Sequence, residues 1–320
     1  MEKIPALIAE DMHQFNKYLN QQLKNRIPYL DKILKYIIRQ KGKQMRPMFV
    51  LLCAKLGGEI AESSFRAATL VELLHTATLV HDDVVDEADQ RRGFFSINAV
   101  WKNKAAVLAG DFLLSKGLLI SLDNNEFETL KILAEAVRQM SEGELLQIEK
   151  SRKLNLDENI YYEIIKGKTA SLISSACGAG AFSTFRTIED AERLKAFGEK
   201  VGMAFQIKDD LFDYGKADVG KPTGNDIKEK KLTLPLIYTL NNCDKSLRRK
   251  IIYIVKNKNT EKESVQFVLD AVKSQGGIQY ATEKMFAFRD EALGILNFYP
   301  ESEAKTALEQ LVRYTTDRRF

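Results

Sequence analysis

Two aspartate-rich segments carry the strongest chemical signal in this sequence. Both have the spacing Asp-Asp-x-x-Asp, which gives the six carboxylates Asp82, Asp83, Asp86, Asp209, Asp210 and Asp213. On a helix, the first and last aspartate of each segment lie one turn apart on one face, where their like charges repel. Carboxylates that face one cavity suit Mg²⁺, especially Mg²⁺ that already carries phosphate. One such segment alone fits a solvated acidic helix end, but the pair predicts a site for several Mg²⁺ ions.

The first acidic segment is predicted to lie at the C-terminus of a helix. An apolar run precedes Asp82, Asp89 continues the acidic stripe one turn on, and Gly93 follows. The helix macrodipole disfavours anions at this end, so a cation should compensate them. His75 lies two turns before Asp82 on nearly the same face, where it is either a core residue or part of the site.

Basic residues occur where an anion could bind. Lys43 and Arg46 lie between Gly42, which can end one helix, and Pro47, which suits the first turn of the next. The dipole disfavours cations at a helix N-terminus, and a bound anion would compensate them. A solvated basic turn is the alternative.

Further cations follow each acidic segment. Arg91 and Arg92 either pair with the first aspartates or clamp a diphosphate, whose geometry the guanidinium fork matches. The second segment is followed by a polar loop, residues 215–226, with three glycines and Lys221, and then by a basic run at residues 228–231. Such a loop suits a lid over phosphates, and an ordinary surface loop is the alternative.

Composition indicates an all-α fold in one domain over residues 1–320. No Pro/Gly/Ser-rich linker divides the 320 residues, and no proline occurs between Pro47 and Pro222, which favours long helices. Hydrophobic residues make up 45% of the chain, and alternating strand patterns are nearly absent. The glycine at Gly143, inside a helical pattern, and the small residues of 169–185 indicate close contacts between helices.

Charge and cysteine content exclude several classes of protein. The net charge is +4 with both signs interspersed, so we expect no nucleic-acid binding. The three cysteines are far apart and are interpreted as reduced thiols of a cytoplasmic protein. No signal peptide is expected at the N-terminus. The uncharged stretch 169–185 is too short and too polar for a membrane span.

Together these motifs resemble the trans-isoprenyl (polyprenyl) diphosphate synthases, most closely the long-chain octaprenyl-type enzymes of bacteria. The resemblance covers nearly the whole chain. Its motifs are Gly-Lys-x-x-Arg-Pro at 42–47, His-Thr-Ala-Thr-Leu-Val-His-Asp-Asp-Val-Val-Asp-Glu at 75–87, Arg-Arg-Gly at 91–93, Gly-Asp at 110–111, Gly-Glu at 143–144, Lys-Thr at 168–169, Phe-Gln-x-x-Asp-Asp-x-x-Asp at 205–213 and Gly-Lys-Pro-x-Gly-Asn-Asp at 220–226.

The resemblance implies a helical bundle around a central cavity and a prenyltransferase that joins isopentenyl diphosphate to an allylic prenyl diphosphate. It implies about three Mg²⁺ ions held by the six aspartates. It also implies a homodimer with at most peripheral membrane contact. The resemblance also implies that the product serves as the side chain of quinones.

The resemblance also assigns roles to individual side chains. Lys168, Thr169 and Gln206 become catalytic residues, the last two directing oxygen dipoles at the allylic cation. Binding of the two diphosphates falls to Lys43, Arg46, His75, Arg91, Arg92, Lys168, Lys221 and Lys231. The chain departs from the family pattern at Gln44, where an arginine is usual, and at Lys230, where a glycine is usual. The second departure leaves open whether Lys230 or Lys231 contacts phosphate.

The resemblance further implies that product length depends on Ala77 and Thr78, five and four residues before the first aspartate, which form the pocket wall in this family. Both are small, which predicts a product longer than farnesyl or geranylgeranyl, with a pocket floor at Leu113, Ile120, Leu133 or Val137. A shorter-chain synthase is the alternative. A class I terpene cyclase and a regulatory subunit of a heteromeric synthase are weaker rivals, since both acidic segments and the basic residues of an isopentenyl site are present.

Overall fold

Helices make up nearly all of the structure. The computed structural model describes residues 6–40, 42–91, 93–153, 157–215 and 223–317, with the side chains of 151–153 left out. The helices up to the middle of the chain are α1 (Ala9–Gln22), α2 (Pro28–Arg39), α3 (Met45–Gly57), α4 (Glu62–Val85), α5 (Ile97–Asp123) and α6 (Phe127–Lys153). Those that follow are α7 (Glu158–Ile165), α8 (Ser171–Phe185), α9 (Ile188–Phe212), α10 (Asn225–Lys228), α11 (Leu234–Asn242), α12 (Lys245–Asn257), α13 (Lys262–Ser274), α14 (Gly277–Leu296) and α15 (Glu303–Asp317). The all-α prediction is confirmed.

One short hairpin interrupts the helical pattern within the described residues. Strands β1 (Gln90–Arg91) and β2 (Phe94–Phe95) pair antiparallel, with Gln90 opposite Phe95. Gly93 lies between them at φ +79°, a left-handed conformation that glycine adopts without steric cost. The glycine expected to follow a helix end therefore serves a hairpin instead.

Local capping explains several helix starts. The Asp157 side chain accepts the N–H of Ile160 and begins α7, and the Thr187 hydroxyl accepts the N–H of Asp190 in the first turn of α9. At the start of α4 the N-cap is Ala61, and the Ser64 hydroxyl accepts the Ala61 N–H. Ser63 and Ser64 thus lie inside the first turn of this helix.

The chain divides into two compact units. The first comprises Met1–Val137, Ser175–Lys195 and Tyr299–Gln310, and the second Arg138–Ser174, Ala196–Phe298 and Leu311–Phe320. Each has a buried apolar core. The single domain over residues 1–320 stays a prediction.

In the first unit, α4 and α5 approach closely at Gly110. A Cβ atom there would lie 2.1 Å from His81 Nε2, so only glycine leaves room for the imidazole. The same ring nitrogen lies 3.2 Å from the Val107 carbonyl oxygen and 3.5 Å from Asp111 Oδ1. His81, which directly precedes the acidic segment, is therefore directed towards α5.

Helix α5 is also the one described helix that is long and apolar enough, by length and composition, to cross a membrane. Core helices of soluble proteins meet the same two conditions. Part of its apolar surface is exposed at Val107, Leu108, Leu118, Leu119 and Leu122.

Candidate active site

The first acidic segment lies at the C-terminal end of α4. This helix ends at Val85, Asp86 occupies its C-cap, and no basic residue lies in its last turn. Glu87 has φ +50°, so the backbone leaves the helical path there. Asp89 therefore does not continue the helical stripe, contrary to the sequence prediction. Asp82 and Asp86 remain one turn apart at the negative end of the helix dipole, where a cation is favoured.

The three aspartates of this segment have different surroundings. Asp83 is 3% exposed, and its Oδ1 accepts from both Nε and Nη2 of Arg91 at 2.7 Å. Asp82 is half-buried and Asp86 is exposed. Because its charge is already compensated by Arg91, Asp83 is better suited to holding the hairpin than to binding metal. The sequence alternative in which an arginine pairs with an aspartate is the one observed for Arg91.

The predicted isopentenyl residues come together in part. Arg46 Nη1 lies 2.9 Å from His75 Nε2. A guanidinium only donates, so Nε2 accepts and the imidazole proton belongs on Nδ1. His75 also lines a cavity in the first unit, with Arg91 and Asp83. Its other lining side chains include Leu19, Leu23, Ile37, Leu73, Leu79 and Leu113.

Lys43 is exposed beside this cavity, which Gly42 lines. Arg92 and Lys221 lie outside the described residues, so their assignments stay predictions. The two residues expected to control product length do not line this cavity. Ala77 is fully buried, and Thr78 is half-buried with its hydroxyl donating to the His75 carbonyl. Their neighbours Thr76 and Leu79 line the cavity. Of the proposed floor residues, Leu113 does line it.

The second acidic segment ends α9, and its aspartates also differ. Asp210 is 8% exposed and accepts from the Tyr161 hydroxyl at 2.7 Å and from Gln206 Nε2 at 2.8 Å. Asp213 accepts the backbone N–H groups of Asn225 and Asp226 through its two oxygens. Asp209 is half-buried. The middle aspartate of each segment is thus buried and hydrogen-bonded to protein groups.

Electrostatics in the second unit favour a bound cation. Burial raises the pKa of Asp210 to about 7, partly offset by the hydrogen bonds from Tyr161 and Gln206. Burial, followed by the charges of Asp210 and Asp213, raises the pKa of Asp226 to about 8. Burial also raises the pKa of Asp213. These carboxylates repel one another, and a divalent cation would favour their ionised forms.

Cationic and polar side chains line one cavity in the second unit. The lining residues with polar side chains are Gln147, Tyr161, Lys168, Thr169, Gln206, Asp210, Asp226, Lys231 and Thr233, and Ile164, Ile165 and Leu232 supply apolar surface. The structure therefore brings all three predicted catalytic residues together with Lys231. Lys230 is directed elsewhere, since its Nζ donates to the Lys256 carbonyl at 3.1 Å. Of the two lysines left open by the sequence, Lys231 is the one at the cavity.

A π-helical turn, Lys166–Ala170, presents Lys168 and Thr169 to this cavity. Such turns are rare and occur frequently at functional sites. Lys168 Nζ forms an ion pair with Glu144 and lies 3.5 Å from Gln147 Oε1. Gly143 allows this approach, because a Cβ atom there would lie 2.8 Å from the Lys168 backbone nitrogen. The predicted close contact at Gly143 is confirmed.

Sequence reasoning missed Tyr161 and Asp226 as site residues and gave Glu144 no role. Glu144 and Asp226 fall inside motifs already recognised, so their position was a usable signal. Tyr161 had none beyond its place on an apolar helix, because its partner Asp210 lies 49 residues away.

Among the described residues, no three His, Cys, Asp or Glu side chains converge on a ready-made metal site. Mg²⁺ is usually held by one or two carboxylates together with substrate phosphates and waters. The half-buried or exposed oxygens of Asp82, Asp86 and Asp209 match that donor chemistry.

Comparison with known proteins agrees with this chemistry. The sequence profile of the polyprenyl synthetase family matches residues 27–272, so the chain belongs to that family of metal-dependent prenyltransferases. It is 36% identical to an all-trans-nonaprenyl-diphosphate synthase (geranyl-diphosphate specific) of Rhodobacter capsulatus, over 99% of this chain and 98% of that protein. It is 32% identical to the octaprenyl diphosphate synthase of Escherichia coli, over 99% of each chain.

Solved structures give the same result. A polyprenyl synthase from Caulobacter crescentus, in complex with calcium and isoprenyl diphosphate, superposes with a TM-score of 0.92 at 30% identity, over 100% of this chain and 98% of that one. A decaprenyl diphosphate synthase from Rhodobacter capsulatus superposes with a TM-score of 0.94 at 32% identity, over 99% and 98% of the two chains.

Proposed function

We propose that this protein is a Mg²⁺-dependent synthase that extends an allylic prenyl diphosphate with isopentenyl diphosphate to a long-chain all-trans polyprenyl diphosphate. The observation that carries this proposal is the grouping of Lys168, Thr169, Gln206 and Lys231 around one cavity with Asp210. Cations there suit a diphosphate, and oxygen dipoles suit the carbocation left when it departs. Quinone side chains are the proposed use of the product.

The aspartates with open oxygens are the proposed Mg²⁺ ligands. Asp82, Asp86 and Asp209 would hold Mg²⁺, about three ions in all by the resemblance. When bound, Mg²⁺ supplies charge stabilisation to the departing diphosphate. Lys168 and Lys231 bind and orient the allylic diphosphate, and Arg46, His75 and Lys43 bind isopentenyl diphosphate. Arg91 acts on the site through Asp83, which it holds in place.

Long product chains are supported by the names of the relatives, which include octaprenyl and nonaprenyl synthases. A farnesyl or geranylgeranyl synthase remains the second candidate, because solved geranylgeranyl pyrophosphate synthases also match over nearly the whole chain.

We infer further that the protein acts as a cytoplasmic homodimer with at most peripheral membrane contact. The exposed apolar residues of α5 support a protein partner for this helix, because Asp111, whose side chain is 59% exposed, lies among them. A carboxylate facing lipid would be costly. A relative named heptaprenyl diphosphate synthase component 2 offers the competing arrangement, a second polypeptide.

Purified protein, Mg²⁺, isopentenyl diphosphate and farnesyl diphosphate would be incubated and the products weighed by mass spectrometry. Asp82→Asn tests the metal ligand, and Asp270→Asn, an exposed aspartate on α13, is the matched control. A product ladder beyond five isoprene units, lost only in Asp82→Asn, is expected. A single short product would favour the second candidate, and cyclised hydrocarbon or no product would overturn the proposal.

A further inference from the structure

Tyr161 begins a chain of hydrogen bonds that ends at the cavity. Its hydroxyl donates to Asp210 Oδ2 at 2.7 Å, and Gln206 Nε2 donates to Asp210 Oδ1 at 2.8 Å. Thr169 Oγ1 in turn donates to Gln206 Oε1 at 2.7 Å. Tyr161 is 4% exposed, so this chain is anchored in the core of the second unit.

The Gln206 amide gives this chain its direction. Gln206 turns its amide nitrogen to Asp210 Oδ1 and its amide oxygen to the Thr169 hydroxyl. That oxygen only accepts, so the Thr169 hydroxyl hydrogen is committed to Gln206. The lone pairs of Thr169 Oγ1 are then left for the cavity. With the Gln206 amide reversed, Thr169 would receive a hydrogen instead and lose this orientation.

We propose that Tyr161 is a positioning residue that holds this hydrogen-bond chain in one direction, so that Thr169 offers oxygen lone pairs to the allylic cation. The inference rests on the proposed function. The Tyr161 hydroxyl and the Gln206 amide bind the two different oxygens of the buried Asp210 carboxylate, so Tyr161 fixes the carboxylate to which Gln206 is hydrogen-bonded.

The role predicts where in the reaction Tyr161 matters. Diphosphate binding is assigned to Lys168 and Lys231, whereas the oriented dipole acts when the allylic carbon–oxygen bond breaks. Removal of the hydroxyl should therefore slow the chemical step and leave substrate binding nearly unchanged.

The first test compares Tyr161→Phe with Tyr162→Phe. Tyr162 is the matched control, since its hydroxyl donates to a Glu158 carboxylate oxygen at 2.8 Å on the same helix. Single-turnover condensation should slow about tenfold in Tyr161→Phe, with both KM values within about twofold of wild type. Tyr162→Phe should react at the wild-type rate. Equal losses in both variants, or a loss confined to KM, would overturn the proposal.

A double-mutant cycle tests whether Tyr161 acts through Thr169. In a Thr169→Val background the hydroxyl oriented by the chain is gone, so adding Tyr161→Phe should cost no further rate. If Tyr161 has only a structural role, the double variant should lose rate by the product of the two single-variant factors. That result would contradict the proposal.

A readout that needs no turnover separates this inference from the proposed function. The side-chain amide resonances of Gln206, assigned by their loss in Gln206→Leu, should shift in Tyr161→Phe and stay in place in Tyr162→Phe. Unchanged resonances in Tyr161→Phe would refute the chain. If the wild-type protein makes no prenyl product while the resonances shift as expected, the proposed function fails and the hydrogen-bond chain stands.

Discussion

Arg91 binds Asp83 through two nitrogens, Nε and Nη2, which both lie 2.7 Å from the same carboxylate oxygen. The pair ties the hairpin after α4 to the end of that helix. Because Asp83 is engaged by Arg91, Asp82 and Asp86 are the aspartates of the first acidic segment whose oxygens are more open to a metal. Asp210 is held in a similar way in the second acidic segment, by Tyr161 and Gln206.

Asp83→Ala should therefore destabilise the protein, whereas Asp86→Ala should not. Loss of Asp83 leaves the guanidinium of Arg91 without its carboxylate, at a cost of about 2–3 kcal/mol in the free energy of unfolding. Asp86 is exposed, so its removal should change that free energy by less than about 0.5 kcal/mol while lowering Mg²⁺-dependent activity. Urea unfolding without Mg²⁺ measures the difference. Equal destabilisation by the two substitutions would argue against the distinction.

Glu144→Gln should strengthen the binding of inorganic pyrophosphate. In the structure Lys168 pairs with Glu144, so an incoming diphosphate must compete for the ammonium group. With the charge of residue 144 removed, we expect pyrophosphate to bind about threefold more tightly by calorimetry at fixed Mg²⁺, a small effect typical of a partly exposed pair. Glu142→Gln is the control, since Glu142 pairs with Arg138 on the surface. Weaker binding in Glu144→Gln would mean that Glu144 orients Lys168 rather than competing for it.

The metal-free protein should lose stability as pH rises. Asp210 and Asp226 have pKa values of about 7 and about 8 when folded, against 3.8 as the ordinary value, so the folded state binds more protons between about pH 4 and pH 8. The free energy of unfolding therefore falls as the pH rises through that window. The contribution of these two carboxyl groups to stability is complete below about pH 4 and is lost by about pH 8. Thermal unfolding across this range, repeated with Asp226→Asn, should show a shallower fall in the variant. Mg²⁺ should restore more stability at pH 8 than at pH 6, and a rise of metal-free stability with pH would contradict this account.

Lys230→Gly should stabilise the fold. Lys230 has φ +58°, a left-handed conformation that costs a side-chain-bearing residue about 1 kcal/mol relative to glycine. The hydrogen bond from its ammonium group to Lys256 is exposed and contributes little. We expect a gain of about 0.5–1 kcal/mol by urea unfolding, and a loss for the control Lys228→Gly, which lies within α10. A loss in both would show that the Lys256 contact matters more than the backbone strain.

Thr78→Tyr should shorten the product. Thr78 lies one helical turn before Asp82, on the same face of α4, and is half-buried, so a larger side chain there can be accommodated. Ala77 is fully buried, and Ala77→Tyr should shorten the product and also destabilise the fold, since overpacking typically costs about 1–3 kcal/mol. Product masses from the two variants and wild type provide the measurement. Unchanged product length in a folded Thr78→Tyr variant would remove this residue from the pocket wall.

What the sequence predicted well depends on local physics. The all-α fold follows from the absence of strand patterns and of proline between Pro47 and Pro222, and the close contact at Gly143 follows from a glycine inside a helical pattern. The end of α4 was misplaced, because the positive φ of Glu87 has no signature in the residue type. The link between Tyr161 and Asp210 was missed because only the folded chain brings residues of such different position together.

The π-helical turn at Lys166–Ala170 changes the register of side chains between the two α-helices that it joins, α7 and α8. It holds one more residue than an α-helical turn, so each side chain after it is rotated by about 100° from where a regular helix would place it. Deletion of Gly167 would restore the regular repeat, and either Lys168 or Thr169 would then turn away from the cavity. The extra residue is what allows the Lys168 ammonium group and the Thr169 hydroxyl to be neighbours in sequence and still line one cavity.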